Sequence, residues 1–157
     1  MKFVDEAFID IAAGDGGDGA VKFSKGVKKF PTGGNGGKGG DIYVVGTTDI
    51  YDLRSIDHEH IFQAEHGEPG GINQQRGGNG KDLTIKLPLI TEIYDQNDKF
   101  IAVVKDLDQP ILIRVGGEGG LGNYHFREGF EGKFDHFVKG KKGERFNVTL
   151  KFKLSAD

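Results

Sequence analysis

Glycine in this chain is clustered, and inside the clusters it recurs at every third residue. The clusters are GDGGDG at 14–19, GGNGGKGG at 33–40, GEPGGINQQRGGNG at 67–80 and GGEGGLG at 116–122, with a looser set at Gly129, Gly132, Gly140 and Gly143. The register runs through Gly14/Gly17, Gly34/Gly37/Gly40, Gly77/Gly80 and Gly116/Gly119/Gly122, with second rows such as Gly33/Gly36/Gly39. Three residues per turn is the polyproline II period, and a row of glycines along such a helix admits a neighbouring backbone where any Cβ would clash. Collagen keeps this register unbroken and rich in proline, whereas here a run lasts two or three turns and the chain has 4 prolines. Ordering a glycine costs ~0.5–1 kcal/mol more than ordering an alanine. The chain carries 27 glycines in 157 residues, well above the usual share of ~7 %. That load makes sense if the segments stay disordered or if the missing side chains are sterically required, and a disordered linker has no need of a three-residue register. The reading is therefore short extended helices packed on one another within one chain, with Cα–H···O contacts between them.

The stretches between the clusters hold most of the Val, Ile and Leu and read as strands: Ala7–Ala12, Ala20–Ser24, Asp41–Val45, His60–Ala64, Leu83–Leu87, Thr91–Tyr94, Phe100–Val104, Ile111–Val115 and Arg145–Leu154. The last is the clearest, with Phe146, Val148, Leu150, Phe152 and Leu154 alternating with polar residues. DQNDK at 95–99 reads as a hairpin connection, and Asp49 as the N-cap of a short helical turn ending at Ile56. No segment carries sustained helical periodicity. The fold expected is all-β: a barrel or sandwich of roughly eight strands, one domain over residues 1–157, with a protrusion of glycine-rich polyproline II-type helices.

Several classes of function are excluded. No apolar run approaches the ~18 residues of a membrane span, and the opening MKFVDEAFIDIAAG carries acids inside its apolar stretch, unlike a signal peptide. With Cys 0 there is no disulfide framework, thiol nucleophile or thiolate zinc site, and a cytoplasmic location fits. G-x-G-x-x-G occurs at 14–19, 34–39 and 117–122, but each match leads toward a strand or an aromatic YHF rather than a helix. The glycine register generates this pattern by itself, so no dinucleotide site is read. No G-x-x-x-x-G-K-[ST] is present, so the chain has no P-loop. Ser24, Ser55 and Ser155 sit in no nucleophile-elbow setting. His58 and His60 share a strand face yet have no second ligand cluster, and Asp15 and Asp18 do not fit a calcium loop. No catalytic residue, metal site or cofactor is expected in this chain.

The net charge of −3 does not announce a nucleic-acid binder, but its distribution is uneven. Lys22, Lys25, Lys28, Lys29 and Lys38 fall between Gly19 and Gly40 with no acid among them, and Lys139–Lys153 is basic apart from Glu144. Two readings stand: ordinary surface bias, or two basic stretches converging on one face. Tyr124, Phe126, Phe130, Phe134 and Phe137, interleaved with Arg127 and Lys133, read either as rings anchoring a long loop or as a stacking-plus-phosphate surface.

FVDEAFIDIAAGDGGDGAVKF, GGNGGKGGDIYV, FQAEHGEPG with GGNGKDLTIKLP, VGGEGGLGN and the ending GERFNVTLKFKLSAD together, in order over essentially the whole chain, resemble the N-terminal domain of the Obg family of GTPases. The sequence departs from the family in its lysine-based SKGVKKFPTGGNGGKGG, in Pro88-Leu89-Ile90-Thr91 and in the aromatic YHFREGFEGKFDHF. The resemblance implies a β-barrel with glycine-rich helices whose loops dock on the large ribosomal subunit and its rRNA, in ribosome assembly and growth or stress control. It also implies that GTP and magnesium are held by a GTPase domain beyond residue 157, so that this chain is a fragment without an enzymatic site. Separately from the resemblance, the chain is expected to be a monomer with no membrane or small-molecule partner. The contact residues it points to are Lys25, Lys28, Lys29, Lys38, Arg76, Arg127 and Lys133, reaching phosphates rather than bases. The competing reading is a stand-alone glycine-rich module for structural or protein-interaction duty.

Overall fold

The computed structural model describes residues 3–26, 29–50, 52–57, 61–126 and 135–153. Among the described residues there are eight strands: β1 (Phe3–Ala12), β2 (Ile42–Thr47), β3 (Ile61–Gln63), β4 (Leu83–Pro88), β5 (Thr91–Asp95), β6 (Phe100–Val104), β7 (Ile111–Arg114) and β8 (Arg145–Lys153). They form a five-stranded sheet, in the order β3-β1-β8-β5-β6, and a three-stranded sheet, β4-β2-β7.

Alternation decides which face each strand buries. In β1, Ala7, Ile9 and Ile11 are buried while Glu6, Phe8 and Asp10 face outward. β8 pairs antiparallel with β1, setting Ile9 opposite Val148 and Ala7 opposite Leu150. The inner face of the second sheet brings Ile42, Val44, Ile85, Leu87 and Ile113 into the same core as Ile93, Leu150 and Phe152. Asp95 closes the β5–β6 hairpin: its carboxylate accepts the N–H of Asn97 and of Lys99, and Asp98 takes the left-handed conformation at φ 60. At the other end of β5 the buried Thr91 hydroxyl donates to Pro88 O at 2.6 Å.

Two expected elements differ. Ala20–Ser24 is not a strand of either sheet. It makes a single bridge, Phe23 to Pro31, flanked by Ser24 N–H to Phe30 O and Thr32 N–H to Lys22 O at 2.9 Å each. Its Val-Lys-Phe alternation thus folds back on its own loop. The helical turn, α1 (Arg54–Asp57), starts later than expected. Asp52, not Asp49, caps it, accepting Arg54 N–H at 3.0 Å, while Asp5 reaches across from β1 to take Leu53 N–H at 2.7 Å. These bonds seat Leu53 in the core with no exposed surface.

Six extended glycine-rich segments, called rods here, leave the ends of the strands: rod 1 (13–20), rod 2 (33–40), rod 3 (64–71), rod 4 (75–82), rod 5 (115–122) and rod 6 (138–145). They bond to one another with a three-residue step. Rod 1 donates from Ala13, Gly16 and Gly19 to Glu144, Lys141 and Val138 of rod 6, and from Gly14, Gly17 and Ala20 to Gly40, Gly37 and Gly34 of rod 2. Rod 2 donates in turn to rods 3 and 5, from Gly34, Gly37 and Gly40 to Gly71, Glu68 and Glu65, and from Gly36 and Gly39 to Gly120 and Gly117. Rods 1, 3 and 5 run one way and rods 2, 4 and 6 the other, with rods 1 and 2 at the centre.

Glycine is what permits this spacing. An added Cβ would lie 2.0 Å from a backbone oxygen at Gly14, Gly17, Gly34, Gly37, Gly40, Gly80 and Gly116, and 1.9 Å from one at Gly119. At Gly77 and Gly122 the distance is 2.1 Å.

Candidate functional site

Because every rod begins or ends at the sheets, the opposite end of the bundle gathers the described parts of three connections: 21–26 with 29–32, 72–74, and 123–126 with 135–137. They are laced together. Gln74 N–H donates to Thr32 O at 2.7 Å, and Tyr124 N–H to Gly33 O at 3.2 Å. Asn123 is fully buried. Its Oδ1 accepts Gly33 N–H at 2.7 Å and its Nδ2 donates to Lys22 O at 3.0 Å. The second connection is a tight turn from Ile72 to Gln75 with Asn73 at φ 53 and Gln74 at φ 62, closed by Gln75 N–H to Ile72 O at 3.0 Å. Both central residues have positive φ, the geometry that favours Asn and Gly.

Lys25 and Lys29 are exposed in the first of these connections, and Arg76 is exposed where the second enters rod 4. Phe23, Phe30 and Ile72 are also exposed there. Lys28, Arg127 and Lys133 lie outside the described residues, as do His58, His60, Phe130 and Phe134. Tyr124 and Phe126 are half-buried on a 3₁₀ turn (Asn123–Phe126), and Phe126 meets the His136 ring edge-on at 4.4 Å. Lys38 is placed differently from the loop bases. It lies toward the sheet end of rod 2, with Nζ 2.5 Å from Asp41 Oδ1 and 3.0 Å from Gly39 O.

The non-glycine positions of the rods have a role that the residue pattern alone did not disclose: they accept N–H groups that no backbone carbonyl reaches. Asp15 and Asp18 take Gly143 and Gly140 N–H at 2.9 and 2.8 Å. Asn35 and Asp41 take those of Gly122 and Gly116 at 3.1 and 2.7 Å. Asn79 and Asp82 take those of Lys38 and Asp41 at 3.0 and 2.8 Å. The signal was available, since Asp15/Asp18, Asn35/Asp41 and Asn79/Asp82 keep the same multiple-of-three spacing as the glycines. Partial burial alone would raise the Asp15 carboxyl, but the Gly143 N–H, then Lys142 and His66, hold it below the usual range. At Asp41 the Gly116 N–H and Lys38 outweigh burial in the same way.

Among the described residues no group of three or more His, Cys, Asp or Glu is placed to hold a metal, and no helix is long and apolar enough to cross a membrane.

The class is that of an all-β domain whose inter-strand connections are drawn out into a glycine-rich rod bundle with three loops at its far end. The chain belongs to the GTP1/OBG family, whose model matches residues 4–154, and fits its N-terminal Obg domain. Over its full length it is 39 % identical to the GTPase Obg of Nostoc punctiforme, 37 % to that of Trichormus variabilis and 36 % to that of Microcystis aeruginosa. Each alignment covers 47 % of the relative, so the chain spans about half the length of the curated relatives it matches.

Proposed function

We propose that this chain is the ribosome-docking domain of an Obg-type GTPase acting in large-subunit assembly and in growth and stress control in the cytoplasm. In this reading the rods are polyproline II-type helices that hold three loops rigidly away from the sheets. The parent's nucleotide chemistry, with GTP and magnesium, belongs to a GTPase domain outside this chain, which acts as a monomer and carries no substrate of its own. The observation that carries the reading is the convergence of three separate loops, laced by Asn123 and Gln74, with Lys25 and Lys29 exposed on the first and Arg76 exposed at the start of rod 4 beside the second. These side chains sit on no base-reading module, so they contact rRNA phosphates and shape.

Cosedimentation with large ribosomal subunits across a salt series tests this. Each phosphate neutralised adds about one unit or less to the slope of log affinity against log salt. Lys25→Ala/Lys29→Ala and Arg76→Ala are expected to weaken association and flatten the slope while leaving Tm unchanged. Undiminished sedimentation of both variants at every salt concentration would reject this surface, and the basic stretch Lys139–Lys153 would be tested next.

A further inference from the structure

The side-chain acceptors of the rods form ladders with a three-residue step, and two ladders are interrupted at the same place. Positions 76, 79 and 82 of rod 4 face the N–H groups of 35, 38 and 41 in rod 2. Asn79 and Asp82 accept theirs, but the third position is Arg76, which has nothing to accept with. Positions 35, 38 and 41 of rod 2 face the N–H groups of 122, 119 and 116 in rod 5. Asn35 and Asp41 accept theirs, but the middle position is Lys38. Among the described residues, neither Asn35 N–H nor Gly119 N–H has an acceptor.

Both gaps open on one cleft, lined by Asn35, Gly36, Lys38, Arg76, Glu118 and Gly119. At each gap a cation stands where a carboxylate or amide oxygen would complete the ladder. Lys38 Nζ is already engaged by Asp41, whereas Arg76 has no carboxylate partner among the described residues. Glu118, the one acid in the lining, lies 3.8 Å from Lys141 on rod 6. Two unused amide donors beside a guanidinium and an ammonium make up the donor set of an oxyanion seat.

We infer that this cleft binds an oxyanion of the phosphate class, whose oxygens take the Asn35 and Gly119 N–H groups and pair with Arg76. The ligand supplies the acceptors that Lys38 and Arg76 cannot. The source is either free phosphate or a phosphodiester of an RNA backbone.

The test is the amide spectrum of the 157-residue chain, titrated at constant ionic strength with inorganic phosphate and separately with an eight-nucleotide oligouridylate. The Asn35 and Gly119 amides are expected to shift saturably, while those of Gly39 and Gly120, already bonded within the bundle, stay in place. A response to phosphate alone assigns the seat to the free ion, and a response to the oligonucleotide assigns it to a backbone phosphodiester. Arg76→Asn provides an acceptor opposite Asn35, as Asn79 does opposite Lys38, so the rods are kept while the cation is lost. It should weaken binding about tenfold or more, and Lys38→Asn makes the matching change opposite Gly119. The inference falls if neither probe moves these two amides, or if Arg76→Asn responds as the parent does. No ribosome enters the assay, so its outcome is separate from that of the docking reading.

Discussion

Gly77 and Gly78 are neighbours in rod 4, and the structure assigns them opposite fates on substitution by alanine. A Cβ on Gly77 would sit 2.1 Å from Glu68 O and 2.5 Å from Pro69 O, both rigid backbone atoms of rod 3. The closest ordinary carbon–oxygen approach is ~3.3 Å, so rods 3 and 4 must part by roughly 1.2 Å. That separation carries Glu68 N–H to Gly78 O and Gly71 N–H to Gln75 O, both 2.9 Å, beyond hydrogen-bond reach, and Glu65 N–H to Lys81 O, at 3.3 Å, with them. At a net ~0.5–1.5 kcal/mol for each bond, Gly77→Ala is expected to cost about 2–4 kcal/mol. For a domain of this size that lowers Tm by roughly 4–15 °C. A Cβ on Gly78 would meet only the Glu68 side chain, no closer than 3.5 Å. Gly78→Ala is therefore expected to be neutral or to raise stability by ~0.4–1 kcal/mol, through the smaller entropy of the unfolded chain. Thermal and urea unfolding of the two variants side by side decide the matter. Equal Tm values would mean that backbone crowding is not why glycine occupies the rods.

Two further outcomes follow from the same geometry. Asn123→Ala leaves the buried Gly33 N–H without its acceptor, while the Lys22 carbonyl keeps Thr32 N–H, and should cost about 1–3 kcal/mol in urea unfolding, with amide exchange at Gly33 faster than in the parent. Asp15 and Asp41 have carboxyls held below their ordinary value in the folded state, so their contribution is complete above the unfolded value of about 3.9 and is lost as pH falls through the lower folded one. The urea midpoint of the parent should thus decline below about pH 4, and Asp15→Asn should flatten that decline. A decline of the same steepness in the variant would remove Asp15 from the account.

Much of this architecture was legible in the residues, for physical reasons that can be named. β8 alternates so cleanly because one face lies on the core and the other does not. The glycine register was legible because a backbone oxygen 2.0 Å from where a Cβ would stand leaves no alternative residue. Ala20–Ser24 differs from its expectation because alternation reports a side-chain pattern, whereas a strand also needs a neighbour in a sheet, and among the described residues this segment bridges to its own loop at Pro31. Spacing alone cannot tell which of Asp49 and Asp52 the chain turns toward α1; the cap is Asp52, beside the bond by which Asp5 holds Leu53 inward. Lys38 looked like the other lysines of its stretch, and only the rod register shows it bonded at 2.5 Å to Asp41. Asp15 and Asp18 do not fit a calcium loop. Their work is to accept Gly143 and Gly140 N–H; their three-residue spacing carries the signal, and the packing of rod 1 on rod 6 supplies the partners.

The large buried apolar side chains of the core come from the strands, α1 and Leu53 just before it, and the rods add small residues such as Ala13, Ala20 and Ala64. The two parts of the molecule therefore differ in heat capacity. Unfolding the sandwich hydrates apolar surface and raises it, whereas unfolding the rods hydrates peptide groups and lowers it. The curvature of stability with temperature resides in the sheets, while the bundle, held by peptide hydrogen bonds, contributes a flatter curve. Cooling thus weakens the scaffold before it weakens the projection that the scaffold carries.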